Sequence, residues 1–151
     1  MDYLLDTNIV VIYSRANEIA KKIEGKYQIF SNDNRLAIST ISLGEINAIT
    51  KKLQLGERRR NNINEIVGNL NEFRIDVREV IERYGDIDAY SQGKLPSIQG
   101  KFTARNMGKN DIWIAATASV FGLTLVTTDR DFDHLNGSFL SLKYVSLKDF
   151  G

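Results

Sequence analysis

One stretch limits the choice of fold more than any other. Residues 109–132 read KNDIWIAATASVFGLTLVTTDRDF. A polar pair, Asn110-Asp111, opens an apolar helical run from Ile112 to Val120. Phe121-Gly122 closes that run, with Gly122 a natural left-handed stop after the helix. A β-branched run from Leu123 to Thr128 follows at once and predicts a buried strand. Three acids, Asp129, Asp131 and Asp133, come next. In a strand–helix fold, strand ends and helix starts share one rim of the sheet, where α/β proteins place their sites. Asp111 and Asp129 can therefore converge.

The rest of the chain repeats this grammar. Tyr3-Leu4-Leu5 predicts a short buried strand, broken by Asp6-Thr7-Asn8, with a helix over Ile9–Tyr13 capped by Thr7 or Asn8. Asp6 is then either a helix cap or a site acid. Glu18–Ile23 predicts a short helix ending at Gly25. Leu36–Ser39 predicts a second strand, and Thr40 or Ser42 can cap the helix that runs to about Leu53. Ser42 with Glu45 fits a capping box, which gives Glu45 a purely structural reading. Its neighbours Ile41, Ile46 and Ile49 argue for a partly apolar face instead. Gly56 breaks the chain before an exposed helix over Glu57–Leu70, which opens with Arg58-Arg59-Arg60. Phe73–Val77 alternates as a strand would, and Val80 to Tyr90 predicts a helix carrying Asp86 and Asp88, read as surface acids. Gln92–Lys109 is the least regular segment. It contains Gly93, Pro96, Gly100 and Gly108, and four cations, Lys94, Lys101, Arg105 and Lys109, without an acid. So long a loop is uncommon unless it has a function. Asn136-Gly137 marks a turn, and Leu142–Leu147 predicts a last strand at a sheet edge.

Alternation of strands and helices predicts an α/β fold with a parallel sheet covered on both faces. With 151 residues and no repeat, one domain over 1–151 is expected. Asp6, Glu45, Asp111 and Asp129 then fall on one rim. Carboxylates so placed repel one another by several kcal/mol per pair at an effective dielectric of about 20. A fold keeps such a cluster where a hard cation neutralises it, and all-oxygen donors suit Mg²⁺ or Mn²⁺. The corresponding chemistry is metal-assisted phosphodiester hydrolysis. Cysteine is absent, which removes disulfides, thiolate metal sites and a cysteine nucleophile. A lone histidine, His134 beside Leu135, leaves Ser/His/Asp chemistry little support and reads as structural. Twenty Lys+Arg against nineteen Asp+Glu give +1, so any nucleic-acid contact must come from local patches. Arg58, Arg59, Lys101 and Arg105 are the candidates for phosphate contact, or for an acidic protein tail. The apolar N-terminus carries Asp2 and Asp6 and no basic flank, so it is not read as a signal peptide, and no run is long enough to span a bilayer. A cytoplasmic location is expected.

Four blocks in order resemble the PIN domain, and most closely the VapC-type toxins of bacterial and archaeal toxin–antitoxin pairs. They are Leu4-Leu5-Asp6-Thr7-Asn8, Ser42-Leu43-Gly44-Glu45-Ile46, Asn110 to Ala116, and Val126-Thr127-Thr128-Asp129-Arg130-Asp131-Phe132. The resemblance implies a three-layer α/β/α sandwich with a mainly parallel, roughly five-stranded sheet. It implies a Mg²⁺- or Mn²⁺-dependent endoribonuclease and a small antitoxin partner. By position, Asp6, Glu45, Asp111 and Asp129 match the family's catalytic, metal-holding acids. Thr7 and Thr127 match hydroxyls that hold those acids, Asp131 a frequent fifth acid behind them, and Asn8 and Asn110 polar neighbours. The 92–109 segment is longer than in many members. Trp113, Ile114 and Ala116–Val120 read as core, the alanines 115, 116 and 118 as a close helix contact, and surplus apolar residues of the first and third helices as a homodimer or antitoxin surface. Two other readings share the acids. A phosphoryl-accepting signalling domain would want paired acids after the first strand and a lysine after the last, which the spacing lacks. A PIN fold without catalysis would only bind RNA or a partner.

Overall fold

The computed structural model describes residues 1–150; Gly151, the last of the expected 1–151 unit, lies outside the described residues. Five strands form one all-parallel sheet: β1 (Asp2–Leu5), β2 (Arg35–Ser39), β3 (Asn71–Phe73), β4 (Thr124–Thr127) and β5 (Ser141–Tyr144), in the order β3-β2-β1-β4-β5. The helices are α1 (Thr7–Ser14), α2 (Glu18–Tyr27), α3 (Thr40–Lys52), α4 (Glu57–Gly68), α5 (Arg78–Ser91) and α6 (Lys109–Phe121), with 3₁₀ turns at Arg130–Leu135 and Leu147–Asp149. The expected α/β/α sandwich is what forms.

Period-two alternation on the strands splits the core in two. Leu4, Ala37 and Leu125 point to the layer of α5 and α6, where Val80, Ile87, Ile112 and Ala115 meet them. Tyr3, Leu5, Ile38 and Val126 point the other way, to Ile9, Val10, Ile23, Ile46 and Ile63 of α1 to α4. Both faces of the central strands are therefore buried, as parallel sheets require. On α6, Ile112 and the four residues 114–118 apart from their polar exception Thr117 form an apolar run that is buried throughout. Its alanines let α5 approach closely. Gly122 ends the helix at φ +65°, a conformation most side chains resist.

Several local expectations shift, and each shift has a cause. The N-cap of α1 is Asp6 rather than Thr7 or Asn8. The helix begins directly after β1, so the carboxylate reaches the first free N–H. α2 runs through Gly25 to Tyr27 and stops at a left-handed Gln28, whose N–H donates to the Glu24 carbonyl. The Ser42–Glu45 capping box does not form. α3 starts at Thr40, and its cap is Ser39, whose Oγ accepts from the Ile41 N–H at 3.1 Å. Ser42 is thus inside the helix and buried. The alternation at Phe73–Val77 is real but pairs only at 71–73. β2 ends at Ser39, opposite Phe73, and the chain there turns into α3, so no partner remains. Beyond it Arg74 and Asp76 pair with each other at 2.7 Å, while Ile75 and Val77 pack on the core. The same logic trims the last strand to Ser141–Tyr144, because Tyr144 stands opposite Thr127, the end of β4. It does lie at an edge, as expected. No helix among the described residues is long and apolar enough to cross a membrane.

Candidate metal centre

The strand order reverses between β1 and β4. From β1 the chain builds outward through β2 and β3, then crosses back to lay β4 on the other side of β1. Ligands of open α/β sheets collect at this switch point, outside the carboxyl ends of the strands. The backbone closes the corner there: the Asp6 N–H donates to the Val126 carbonyl at 2.9 Å.

Asp6 follows β1 and is only 5% exposed. One carboxylate oxygen accepts from the Thr7 N–H at 2.8 Å and the other from Thr127 Oγ1 at 2.7 Å. Thr127 ends β4, and its Oγ1 also accepts the Asp129 N–H at 3.0 Å. Glu45, on the second turn of α3, is held from two sides. Thr7 Oγ1 donates to Oε1 at 2.6 Å, and Asn110 Nδ2 donates to Oε2 at 3.3 Å. Glu45 therefore faces the rim, which replaces the capping reading. Asp111 is in the first turn of α6 and half-buried. Asp129 caps the 3₁₀ turn by accepting the Asp131 N–H at 2.8 Å. Carboxylate oxygens of Asp111, Asp129 and Asp131 all lie within 4.8 Å of one another.

The electrostatics record the crowding. Burial, and then the charges of Asp6, Asp129, Glu45 and Asp131, push the Asp111 carboxyl up to about 7. Asp6 is also raised, first by burial; the bonds from Thr127 and Thr7 pull the other way, and Glu45 and Asp129 add to the rise. Among the described residues, no Lys or Arg forms an ion pair with any of these acids. The donor set is oxygen throughout, anionic and unneutralised, which suits a hard divalent cation.

The other candidates fall elsewhere. Asp86 is exposed on α5, and Asp88 accepts from Gln92 Nε2 at 3.1 Å. His134 has its Nε2 at 2.7 Å from Ser91 Oγ, and burial followed by the Arg105 charge lowers its pKa, against the opposite pull of Asp131 and Asp133. Arg58 is exposed on α4. Arg59 donates from Nε and Nη2 to Ser14 Oγ and from Nη2 to the Val11 carbonyl, and so docks α4 on α1. Lys101 is exposed and Arg105 half-buried in the 92–108 segment. Asn110 is the residue whose part was missed. Its grip on Glu45 spans 65 positions, and no local spacing signals it.

The PIN domain family model matches residues 3–138. The chain belongs to the PIN domain family. No curated protein matches it in sequence, but solved structures share the fold. VapBC2 from Rickettsia felis, bound to a DNA fragment from its promoter, superposes with a TM-score of 0.76 at 22% identity, covering 97% of this chain and 100% of that one. VapBC-1 from nontypeable Haemophilus influenzae gives 0.65 at 23%, over 95% and 98%. VapBC-5 from Mycobacterium tuberculosis, described as a member of the VapBC family of toxin-antitoxin systems, gives 0.60 at 20%, over 95% and 97%. In this PIN domain the acids of the resemblance, Asp6, Glu45, Asp111 and Asp129, sit on the rim at the β1/β4 switch point.

Proposed function

We propose that this PIN domain is a metal-dependent endoribonuclease and the toxin of a VapBC-type pair. The observation that carries the reading is the unneutralised oxygen cluster of Asp111, Asp129 and Asp131, coupled by charge to Asp6 and Glu45 at the switch point. Asp6, Glu45, Asp111 and Asp129 would hold Mg²⁺ or Mn²⁺, which when bound would polarise a phosphoryl oxygen and acidify a neighbouring water. The chain's own part is positional. Thr7 and Thr127 fix the oxygens of Asp6 and tie Asp6 to Glu45 and Asp129 through their two hydroxyls. Asn110 fixes the second oxygen of Glu45. Asp131 stands at the exposed edge of the cluster and is braced through its N–H by Asp129. Arg58, Lys101 and Arg105 are offered as RNA phosphate contacts, with Arg59 already engaged at α1.

An antitoxin segment is the proposed protein partner. An apolar cavity of about 290 Å³ lined by Tyr13, Ala16, Ala20, Phe30 and Ile66, between α1, α2 and α4, supports it. A homodimer and a cytoplasmic site of action belong to the same proposal. The deciding test is cleavage of structured RNA by the purified chain in Mn²⁺ and in EDTA, with Asp111→Asn alongside. Cleavage in Mn²⁺ alone, lost in the variant, supports the reading; cleavage that survives both removes it.

A further inference from the structure

We infer that the 92–108 segment is a docked arm in which Lys94, Arg105 and the amides of Gln92 and Asn106 hold one backbone phosphate of the RNA, on its approach to the acidic rim. The inference rests on the nuclease reading and concerns how the strand is led to that site.

The segment is unusual in charge. Between Asp88 and Asp111 there is no acid, yet Lys94, Lys101, Arg105 and Lys109 lie there. Among the described residues, none of these four side chains forms an ion pair. Asp88, the last acid before the segment, is occupied by Gln92 Nε2. Cations kept without partners in a segment that leads into Asp111 suit an anion that comes from outside.

The segment is also held in place, which a merely solvated basic loop would not need. Phe102 packs on the Tyr90 ring at 5.1 Å and on the His134 ring at 4.9 Å. Leu95 and Met107 pack against the core, and the Arg105 N–H donates to the Ser91 carbonyl at 2.8 Å. Ser91 Oγ meets both His134 Nε2 and Met107 Sδ, at 2.7 and 3.4 Å. This anchoring shapes a small cavity of about 180 Å³ lined by Gln92, Lys94, Ala104, Arg105 and Asn106. Two cations, the Asn106 amide and the one Nε2 hydrogen that Gln92 does not give to Asp88 line so small a space, a set that matches a tetrahedral oxyanion, which offers acceptors in several directions. A peptide carboxylate offers two oxygens in one plane and matches it less well.

Position completes the argument. Asn106 is five residues before Asp111, so the two lie no more than about 17 Å apart along the chain. The segment runs into Gly108, where an added Cβ would stand 3.7 Å from Asp111 Oδ2. An RNA backbone meeting four or five carboxylates is repelled unless flanking phosphates are gripped. The arm supplies that grip next to the acids.

The test uses the full chain carrying Asp111→Asn, chosen to suppress cutting, and a labelled single-stranded RNA followed by anisotropy over a salt series. Lys94→Gln with Arg105→Gln should lower the slope of log K against log salt by about 1.4, and affinity at 0.1 M salt by about 10- to 30-fold. Lys51→Gln with Lys52→Gln, exposed at the far end of α3, removes the same charge and should change neither. In the cutting-competent chain the arm variant should raise KM and leave kcat. An unchanged slope, or an equal loss in the control pair, overturns the proposal. So does poly-glutamate binding that matches RNA in the parent and vanishes in the arm variant, which would assign the cavity to an acidic peptide. If the unaltered chain cuts no RNA in Mn²⁺ yet binds it with the arm-dependent slope, the nuclease reading fails and the arm stands.

Discussion

The acidic rim has two halves built on opposite principles. On the side of β1 and α3, Asp6 and Glu45 have each carboxylate oxygen met by a protein donor, from Thr7, Thr127 or Asn110. On the side of α6 and β4, Asp111, Asp129 and Asp131 mostly face one another. The first half is satisfied as it stands; the second is left frustrated. Frustration that a fold tolerates at one spot, while satisfying the adjacent spot fully, marks where an outside charge is meant to act. In the proposed metal centre, Asp6 and Glu45 would fix the geometry and the Asp111 side would supply the affinity.

The sharpest way to break this division is activity. Asp111→Asn and Asp129→Asn should each reduce RNA cleavage by at least ~10²-fold. Asp6→Asn and Glu45→Gln should match them, because the scaffold half also contributes charge to the same centre. Initial rates in Mn²⁺ check it; near-normal cleavage by Asp6→Asn or Asp111→Asn would remove that acid from the site.

Next in size is the effect of taking donors from the satisfied half. Thr127→Val keeps the shape but strips Asp6 Oδ2 of its donor and the Asp129 N–H of its acceptor. Unfolding in urea should show a loss of about 1–3 kcal/mol. A Val variant as stable as the parent would mean that the Thr127 hydroxyl does not anchor the corner.

Much of this was legible in the sequence because it is written locally. Asp6, Asp111 and Asp129 each border an apolar run, and runs of that length and type decide strand and helix by themselves. Glu45 was ambiguous for a physical reason: S-x-x-E describes a capping box as well as a site acid. What decides between them is Thr7, 38 residues away, together with a helix start three residues earlier than the box requires. The strand at Phe73–Val77 failed in the same way. Its alternation is correct for an extended chain with one apolar face, yet strand pairing depends on where the neighbouring strand ends. Asn110 and the docking of Phe102 on His134 depend on contacts across the fold, which local patterns do not encode.

The frustrated half also predicts a pH dependence in the absence of metal. The Asp111 carboxyl titrates near 7 in the folded chain against 3.8 for an ordinary Asp. Between those values the folded state binds the extra proton. Its contribution is therefore full below about pH 4 and is lost as pH rises through 7. Asp111 is only half-buried, so the loss is on the order of 1–2 kcal/mol once solvent screening is allowed for. Melts in EDTA from pH 5 to 8 should fall for the parent and stay flatter for Asp111→Asn. Parallel curves would show that Asp111 is not the crowded group.

The smallest expected effect separates the halves most directly, because it adds the proposed cation. In EDTA, replacing Asp111 or Asp129 by Asn removes repulsion at constant shape, so each variant should equal or exceed the parent in stability, by ~1 kcal/mol after screening. Mg²⁺ should reverse the order. At millimolar affinity, about 10 mM Mg²⁺ stabilises the parent by roughly 1.4 kcal/mol through mass action. In a chain of this size that is a rise in melting temperature of about 3–5 °C. Asp111→Asn lacks a ligand and should rise much less. Thr127→Val keeps every carboxylate, so it should start lower than the parent yet retain most of the Mg²⁺ shift. Acids that were only helix caps would behave otherwise: Asn caps nearly as well as Asp, and Mg²⁺ would move none of the three proteins. Equal Mg²⁺ shifts in the parent and Asp111→Asn would erase the distinction between the halves and, with it, the metal centre.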